Sequence, residues 1–132
     1  MAKPKILIVD DEESVRSTLK DILADCFECD IAESSDGRHA LEVLEKEQFD
    51  LVLLDIKMPG LSGVDVLKNA ALKHPQTDIL MLSGWDSQSV AEEAFKDGAT
   101  DYILKSSPPA VSCGKICAIL KKRNKYFPKK KK

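Results

Sequence analysis

The sequence predicts an α/β domain built on a doubly wound parallel sheet of five strands, and three observations carry that expectation. Short, nearly all-apolar runs recur along the chain, amphipathic stretches with helical spacing separate them, and Gly, Pro or Asp marks most of the junctions. A length of 132 residues holds one such domain and little more. Alternating strands and helices, joined by right-handed crossovers, place helices on both faces of the sheet.

Residues 5–9, 51–54, 79–82 and 102–104 are the apolar runs, and they suit strands buried on both faces. Residues 29–32 are shorter and more polar and read as an edge strand. Val15, Leu19, Ile22 and Leu23 line one face of a first helix with Ser14 as its N-cap. Ala40, Leu41 and Leu44 line a second, which starts after Ser35-Asp36-Gly37. Val64, Leu67 and Ala71 line a third, closed by His74-Pro75. Ser87 caps a fourth whose Val90, Ala91, Ala94 and Phe95 point inward, and Asp97-Gly98 ends it. Pro108-Pro109 begins a fifth, carrying Val111, Ile116 and Leu120.

With 43% hydrophobic and 32% charged residues, the chain is too apolar for intrinsic disorder. No apolar run exceeds five residues, so a membrane span is not expected, and no apolar signal core follows Met1. A cytoplasmic domain is the expectation. The net charge of −2 is unevenly spread, because eight of the 20 basic residues fall in positions 121–132, where there is no acid. Residues 1–120 are therefore strongly acidic, which argues against direct nucleic-acid binding by the domain. The expected division is a domain over residues 1–122 and a basic tail, or the start of a linker, over 123–132. Residues 129–132 are expected as a solvated end. Cys26, Cys29, Cys113 and Cys117 allow a four-thiolate site by arithmetic, but no glycine-rich knuckle flanks either pair, and they read as small hydrophobes.

Ligands of an open α/β sheet bind beyond the carboxyl ends of the strands. Asp10 and Asp11 follow the first expected strand, Asp55 the third, Ser83 the fourth and Lys105 the last. Taken singly, each has an ordinary explanation: a turn former, an N-cap, a surface lysine. Taken together at one edge, they describe a site. Crowded carboxylates repel unless a cation intervenes, and oxygen-only ligands with open positions suit Mg2+ beside a phosphoryl group. Lys105 can neutralise that group, Ser83 can hydrogen-bond it, and Asp55 can act as the nucleophile.

The segments Ile8-Val9-Asp10-Asp11-Glu12, Leu54-Asp55-Ile56-Lys57-Met58-Pro59-Gly60, Ser83-Gly84 and Gly98-Ala99-Thr100-Asp101-Tyr102-Ile103-Leu104-Lys105 together resemble the response-regulator receiver domain, the CheY-like module of two-component signalling. The resemblance covers about residues 5–122 and implies a flavodoxin-like fold with strand order 2-1-3-4-5. It implies that Asp55 is the phospho-acceptor and that Asp10, Asp11, Asp55 and the Lys57 carbonyl hold Mg2+. It further implies that Lys105 pairs with the phosphoryl group and that Ser83 and Tyr102 are switch residues. The implied donor is a sensor histidine kinase or phosphotransfer protein. The implied output is a face made by the fourth helix, last strand and fifth helix, which binds a downstream protein or a second copy of the chain. Catalysis is then limited to self-phosphotransfer and slow hydrolysis.

Two departures and two alternatives accompany that resemblance. The family usually has proline after the lysine, in a cis bond; here the residue is Ser106, for which a trans bond and a differently aimed Lys105 are expected. Lys57 and Trp85 flank the site and are expected to tune water access, with Trp85 either covering the mouth, anchoring a partner or lying on the fourth helix. Pro59 and Gly60 suit a loop curling around Asp55, and Gly63 a close approach. The main alternative is a scaffold that binds partners unphosphorylated. A metal-dependent phosphatase would need a general acid two residues after the nucleophile, where Lys57 is poorly suited.

Overall fold

The computed structural model of the chain describes residues 2–129. Five parallel strands, β1 (Lys5–Val9), β2 (Asp30–Ser34), β3 (Leu51–Asp55), β4 (Asp78–Ser83) and β5 (Asp101–Leu104), form one sheet in the order β2-β1-β3-β4-β5. Helices α1 (Glu13–Cys26), α2 (Gly37–Lys46), α3 (Gly63–Lys73), α4 (Gln88–Glu93) and α5 (Pro109–Lys122) connect and follow them. The expected α/β doubly wound fold is the observed one.

Strand alternation explains why the apolar runs are unbroken. Leu7, Val9, Val52, Leu54, Ile79 and Met81 face one core, with Ala40 and Leu44 of α2 and Val66, Leu67 and Ala70 of α3. Ile6, Ile8, Leu51, Leu53, Leu80 and Leu82 face the other, with Leu19 and Leu23 of α1 and Ile116 and Leu120 of α5. Each central strand is sealed on both sides, so its pairing register cannot slip by one residue without exchanging the two cores wholesale. Among the described residues, no helix is long and apolar enough to cross a membrane.

Several local expectations are corrected. Glu12, not Ser14, occupies the N-cap of α1, without a side-chain cap; Asp10 Oδ1 accepts from the Glu12 amide at 2.9 Å instead. In α3 the buried face is Val66, Leu67 and Ala70, with Val64 and Ala71 half-buried at its margins. Val90 and Phe95 are exposed rather than inward. Here α4 has six residues flanked by 3-10 turns at Trp85–Ser87 and Ala94–Asp97, and the tighter turns shift the helical phase so that Ala91 and Ala94 face the sheet. Val111 is also exposed, at the start of α5, while Ser112, Ile116 and Ile119 are buried. The four cysteines are free and half-buried, and pack against the α1/α5 core. Burial, with further contribution from neighbouring Cys26 and Cys117, pushes the Cys113 thiol up to about 11.

Beyond α5, residues 123–129 fold back onto the domain. Arg123 Nη1 donates to Gln76 O and Asp78 Oδ2, both at 2.8 Å, and Nη2 to Asp50 Oδ1 at 3.3 Å, tying the end of α5 to the starts of β3 and β4. Asn124, at φ 60°, turns the chain, a conformation asparagine tolerates. The Glu28 amide then donates to Phe127 O at 2.7 Å, the Lys129 amide to Cys26 O at 3.2 Å, and Tyr126 packs edge-on against Phe27. Lys130, Lys131 and Lys132 lie outside the described residues, and so does the expectation of a solvated end for them.

Arg123 is the clamp of that return. Arg123→Ala leaves Asp50 and Asp78 without their cation and is expected to lower stability by about 1–3 kcal/mol in urea unfolding. A change within about 0.5 kcal/mol would show that the clamp is dispensable.

Candidate functional site

Register brings the chemistry to one edge. Val9 pairs with Leu54 and Asp55 with Leu82, while Ser83 pairs with Leu104. Asp10 and Lys105 directly follow their strands, and Asp55 and Ser83 end theirs, so all four converge at the carboxyl edge of the sheet. Carboxylate oxygens of Asp10, Asp11 and Asp55 lie within 4.8 Å of one another. Asp10 is 0% and Asp55 3% exposed, and Asp11 stands at the open side.

Lys105 Nζ sits 2.9 Å from Asp10 Oδ2 and 3.1 Å from Asp55 Oδ1. The Lys105–Ser106 bond is trans, as expected, but Lys105 is not diverted by it. Its amide donates to Ser83 O at 2.8 Å, continuing the β4–β5 ladder by one residue, and this carries the side chain into the acidic cluster.

Burial, reinforced by the Asp10 charge, pushes the Asp55 carboxyl up to about 6, against the opposing pull of Lys105 and the Lys57 amide. Burial disfavours the Lys105 ammonium, yet its hydrogen bonds to Asp10 and Asp55 outweigh that and hold its pKa above the usual lysine value. The cluster fits a divalent cation on the chemistry of its donors. All are hard carboxylate oxygens, and the buried Oδ2 atoms of Asp10 and Asp55 lack an aligned hydrogen-bond partner.

The loop after Asp55 is shaped by backbone needs. Gly60 has φ 76°, open to glycine and strained for other residues. A Cβ on Gly63 would meet the Asp55 carbonyl oxygen at 1.9 Å, so the start of α3 lies directly against the backbone of Asp55. Ser62 and Asp65 form a reciprocal cap that fixes this helix start.

The other expected residues take up varied positions around this centre. The Lys57 amide lies 3.4 Å from Asp55 Oδ1, while its side chain turns away to Asp86 at 2.7 Å. Trp85 is 85% exposed, so its ring is not packed down on α4. Ser83 is fully buried, and its hydroxyl engages Gly84 O and Ser87 rather than Asp55. Tyr102 is half-buried, edge-on to Phe95 and under Lys115 Nζ. Three contributors are not foreseen by the sequence. Arg16 Nη1 donates to Asp10 O at 2.7 Å, Asp86 holds Lys57, and Ser87 meets Ser83. A lone arginine one turn into a strongly acidic helix start was the available signal for the first.

Residues 6–116 match the response regulator receiver domain family. This chain belongs to it. The chemotaxis protein CheY of Thermotoga maritima is 35% identical over 106 residues, covering 80% of this chain and 88% of that protein. A CheY-like receiver domain protein from Methanospirillum hungatei superposes with a TM-score of 0.85 at 29% identity, covering 94% of this chain and 98% of that one. The response regulator PilR of Pseudomonas aeruginosa and the regulatory protein DegU of Brevibacillus brevis are each 36% identical, over 80% and 78% of this chain. The chain spans only 23% and 44% of those two relatives' lengths. The receiver domain is the signal-receiving switch of two-component response regulators, not a conventional enzyme.

The raised carboxyl of Asp55 has a stability consequence. Unfolded, the group binds its proton near 3.8, and folded near 6, so the folded state binds more protons between those values. Metal-free stability therefore falls as pH rises from about 4 to 6. Asp55→Asn removes that loss and is expected to raise stability at pH 7 by on the order of 2 kcal/mol in chelator. Equal or lower stability of the variant in a urea titration would contradict this.

Proposed function

We propose that this receiver domain is a phosphorylation-controlled switch in which Asp55 takes a phosphoryl group from a phosphohistidine on a sensor kinase or phosphotransfer protein. The observation that carries the reading is the buried, unaligned carboxylate pair of Asp10 and Asp55 beside one ammonium. Asp10, Asp11, Asp55 and the Lys57 carbonyl are the proposed Mg2+ ligands. When bound, Mg2+ supplies positive charge against these carboxylates and the incoming phosphoryl oxygens.

An Asp55 carboxylate oxygen attacks phosphorus, and the P–N bond breaks with its electron pair returning to the donor ring. A donor ring already protonated on its other nitrogen leaves as neutral imidazole, so no further proton has to move. Lys105, held by Asp10 and Asp55, pairs with a phosphoryl oxygen, and its raised pKa keeps it cationic throughout the neutral range. Ser83 turns from Gly84 O toward the phosphoryl group, and Tyr102 repacks with it. The face of α4, β5 and α5 then changes what it presents to a downstream protein or to a second copy of the chain. The exposed Val90, Phe95 and Val111 on those helices and the adjoining turn support this choice of output face.

Incubation with acetyl phosphate and Mg2+, followed by intact mass measurement, tests the proposal. Wild type is expected to gain one phosphoryl group, and Asp55→Asn or chelator-treated protein none. An unmodified wild type that still captures its partner would favour the unphosphorylated scaffold.

A further inference from the structure

Ser87 is 2% exposed, at the junction of the 3-10 turn and α4, and every hydrogen bond of its side chain goes to the turn that ends β4. Its hydroxyl accepts from the Gly84 amide at 3.1 Å, lies 3.3 Å from Gly84 O, and touches the Ser83 hydroxyl at 3.2 Å. The Ser83 hydroxyl donates to Gly84 O at 2.8 Å. A hydroxyl has one hydrogen to give. The Ser83 hydroxyl and the Gly84 amide are the polar donors immediately beyond Leu82, which pairs with Asp55 across the sheet. Both are already occupied, one by Gly84 O with Ser87 alongside, the other by Ser87.

We propose that Ser87 is a positioning residue that holds Ser83 and Gly84 in the resting arrangement and thereby sets how much phosphoryl-like anion is needed to engage them. The inference rests on the phosphorylation reading of Asp55 and Ser83 and adds to it a competitor built into the fold. When the anion sits on Asp55, the Ser83 hydroxyl and Gly84 amide exchange Ser87 and Gly84 O for anion oxygens. Removing the Ser87 hydroxyl leaves the Gly84 amide unpaired in the resting state but not in the engaged one. The balance then shifts toward engagement, by about five-fold for one net hydrogen bond. The hydrogen bonds of the Ser87 side chain go to Ser83 and Gly84 and not to the carboxylate cluster, so Mg2+ binding is unaffected by the same change.

The test is beryllofluoride binding at saturating Mg2+, followed by fluorine NMR, alongside the rate of phosphorylation by acetyl phosphate. Ser87→Ala is expected to half-saturate at about five-fold lower beryllofluoride than wild type, with Mg2+ half-saturation unchanged within about two-fold. Ser87→Cys, nearly the same size with a weaker hydrogen-bonding group, falls between them and carries the test should the alanine variant not fold. In a Ser83→Ala background the shift from Ser87→Ala shrinks, because one of the two occupied donors is gone. Folded Ser87 variants that need as much beryllofluoride as wild type, or more, overturn the proposal. A wild type that binds Mg2+ yet takes up neither beryllofluoride nor phosphoryl overturns the phosphorylation reading, and this inference falls with it.

Discussion

The arrangement depends on the repulsion between two carboxylates that the sheet forces together. Asp10 follows β1 and Asp55 ends β3, neighbouring parallel strands whose register is locked by two apolar cores. Neither side chain can retreat to solvent without unzipping strands that are buried on both faces. One ammonium, from Lys105, stands against these two acids and the nearby Asp11, so negative charge remains in surplus. Burial first, and the Asp10 charge second, displace the Asp55 carboxyl upward. A site held in this state gains most from a ligand that brings positive charge, which is the physical support for the proposed divalent cation beside Asp55.

From that site, the connections run toward the least regular part of the fold. The amide of Lys105 is bonded to Ser83 O, Ser83 touches Ser87, and Ser87 opens α4, a six-residue helix flanked by 3-10 turns. Such an element rests on few internal hydrogen bonds, so its arrangement can be changed by a modest difference in contact energy. At the carboxyl end of β1, the acid-bearing loop is held by Arg16 on Asp10 O and by the Asp10–Glu12 turn. In the proposed switch, the stiff half fixes the chemistry and the soft half is free to report it.

Sequence periodicity was sufficient for the strands because residues 51–54 and 79–82 are apolar at every position, a pattern that only double-sided burial requires. Convergence of Asp10, Asp55, Ser83 and Lys105 was legible for the same reason, since strand ends define the edge at which they meet. Helix phase near α4 was not legible: Val90 and Phe95 follow regular 3.6-residue spacing, and the two 3-10 turns that rotate them outward leave no mark in composition. The return of residues 123–129 was hidden by its lysines. Their charge suggests solvent, whereas the fold there is decided by Arg123, Asn124 and backbone bonds to Cys26 and Glu28. Ser87 stands at the N-cap position of α4 that its residue type suggests, but its hydroxyl accepts from the Gly84 amide and does not cap the helix.

Ser106, standing where the family usually has proline, shows how the same end can be reached by another route. A cis-proline bend redirects a lysine by turning the backbone, and without proline a cis bond would cost about 3 kcal/mol. Here the bond is trans, and the direction of Lys105 is set by the ladder itself: the Lys105 amide on Ser83 O extends β5 by one hydrogen bond past Leu104. The chain then breaks away through a turn in which the Ser107 amide donates to Leu104 O, leading into Pro108 and the start of α5. Aim therefore depends on the end of β4 keeping its position. Because Ser83 supplies both that carbonyl and the hydroxyl proposed to switch, any movement that swings the hydroxyl toward Asp55 without shifting the carbonyl leaves Lys105 in place. A movement that drags the whole residue would instead pull the lysine out of the cluster. The geometry thus favours rotation of the Ser83 side chain and rearrangement of the Gly84–Ser87 turn and α4, with the strand itself staying fixed.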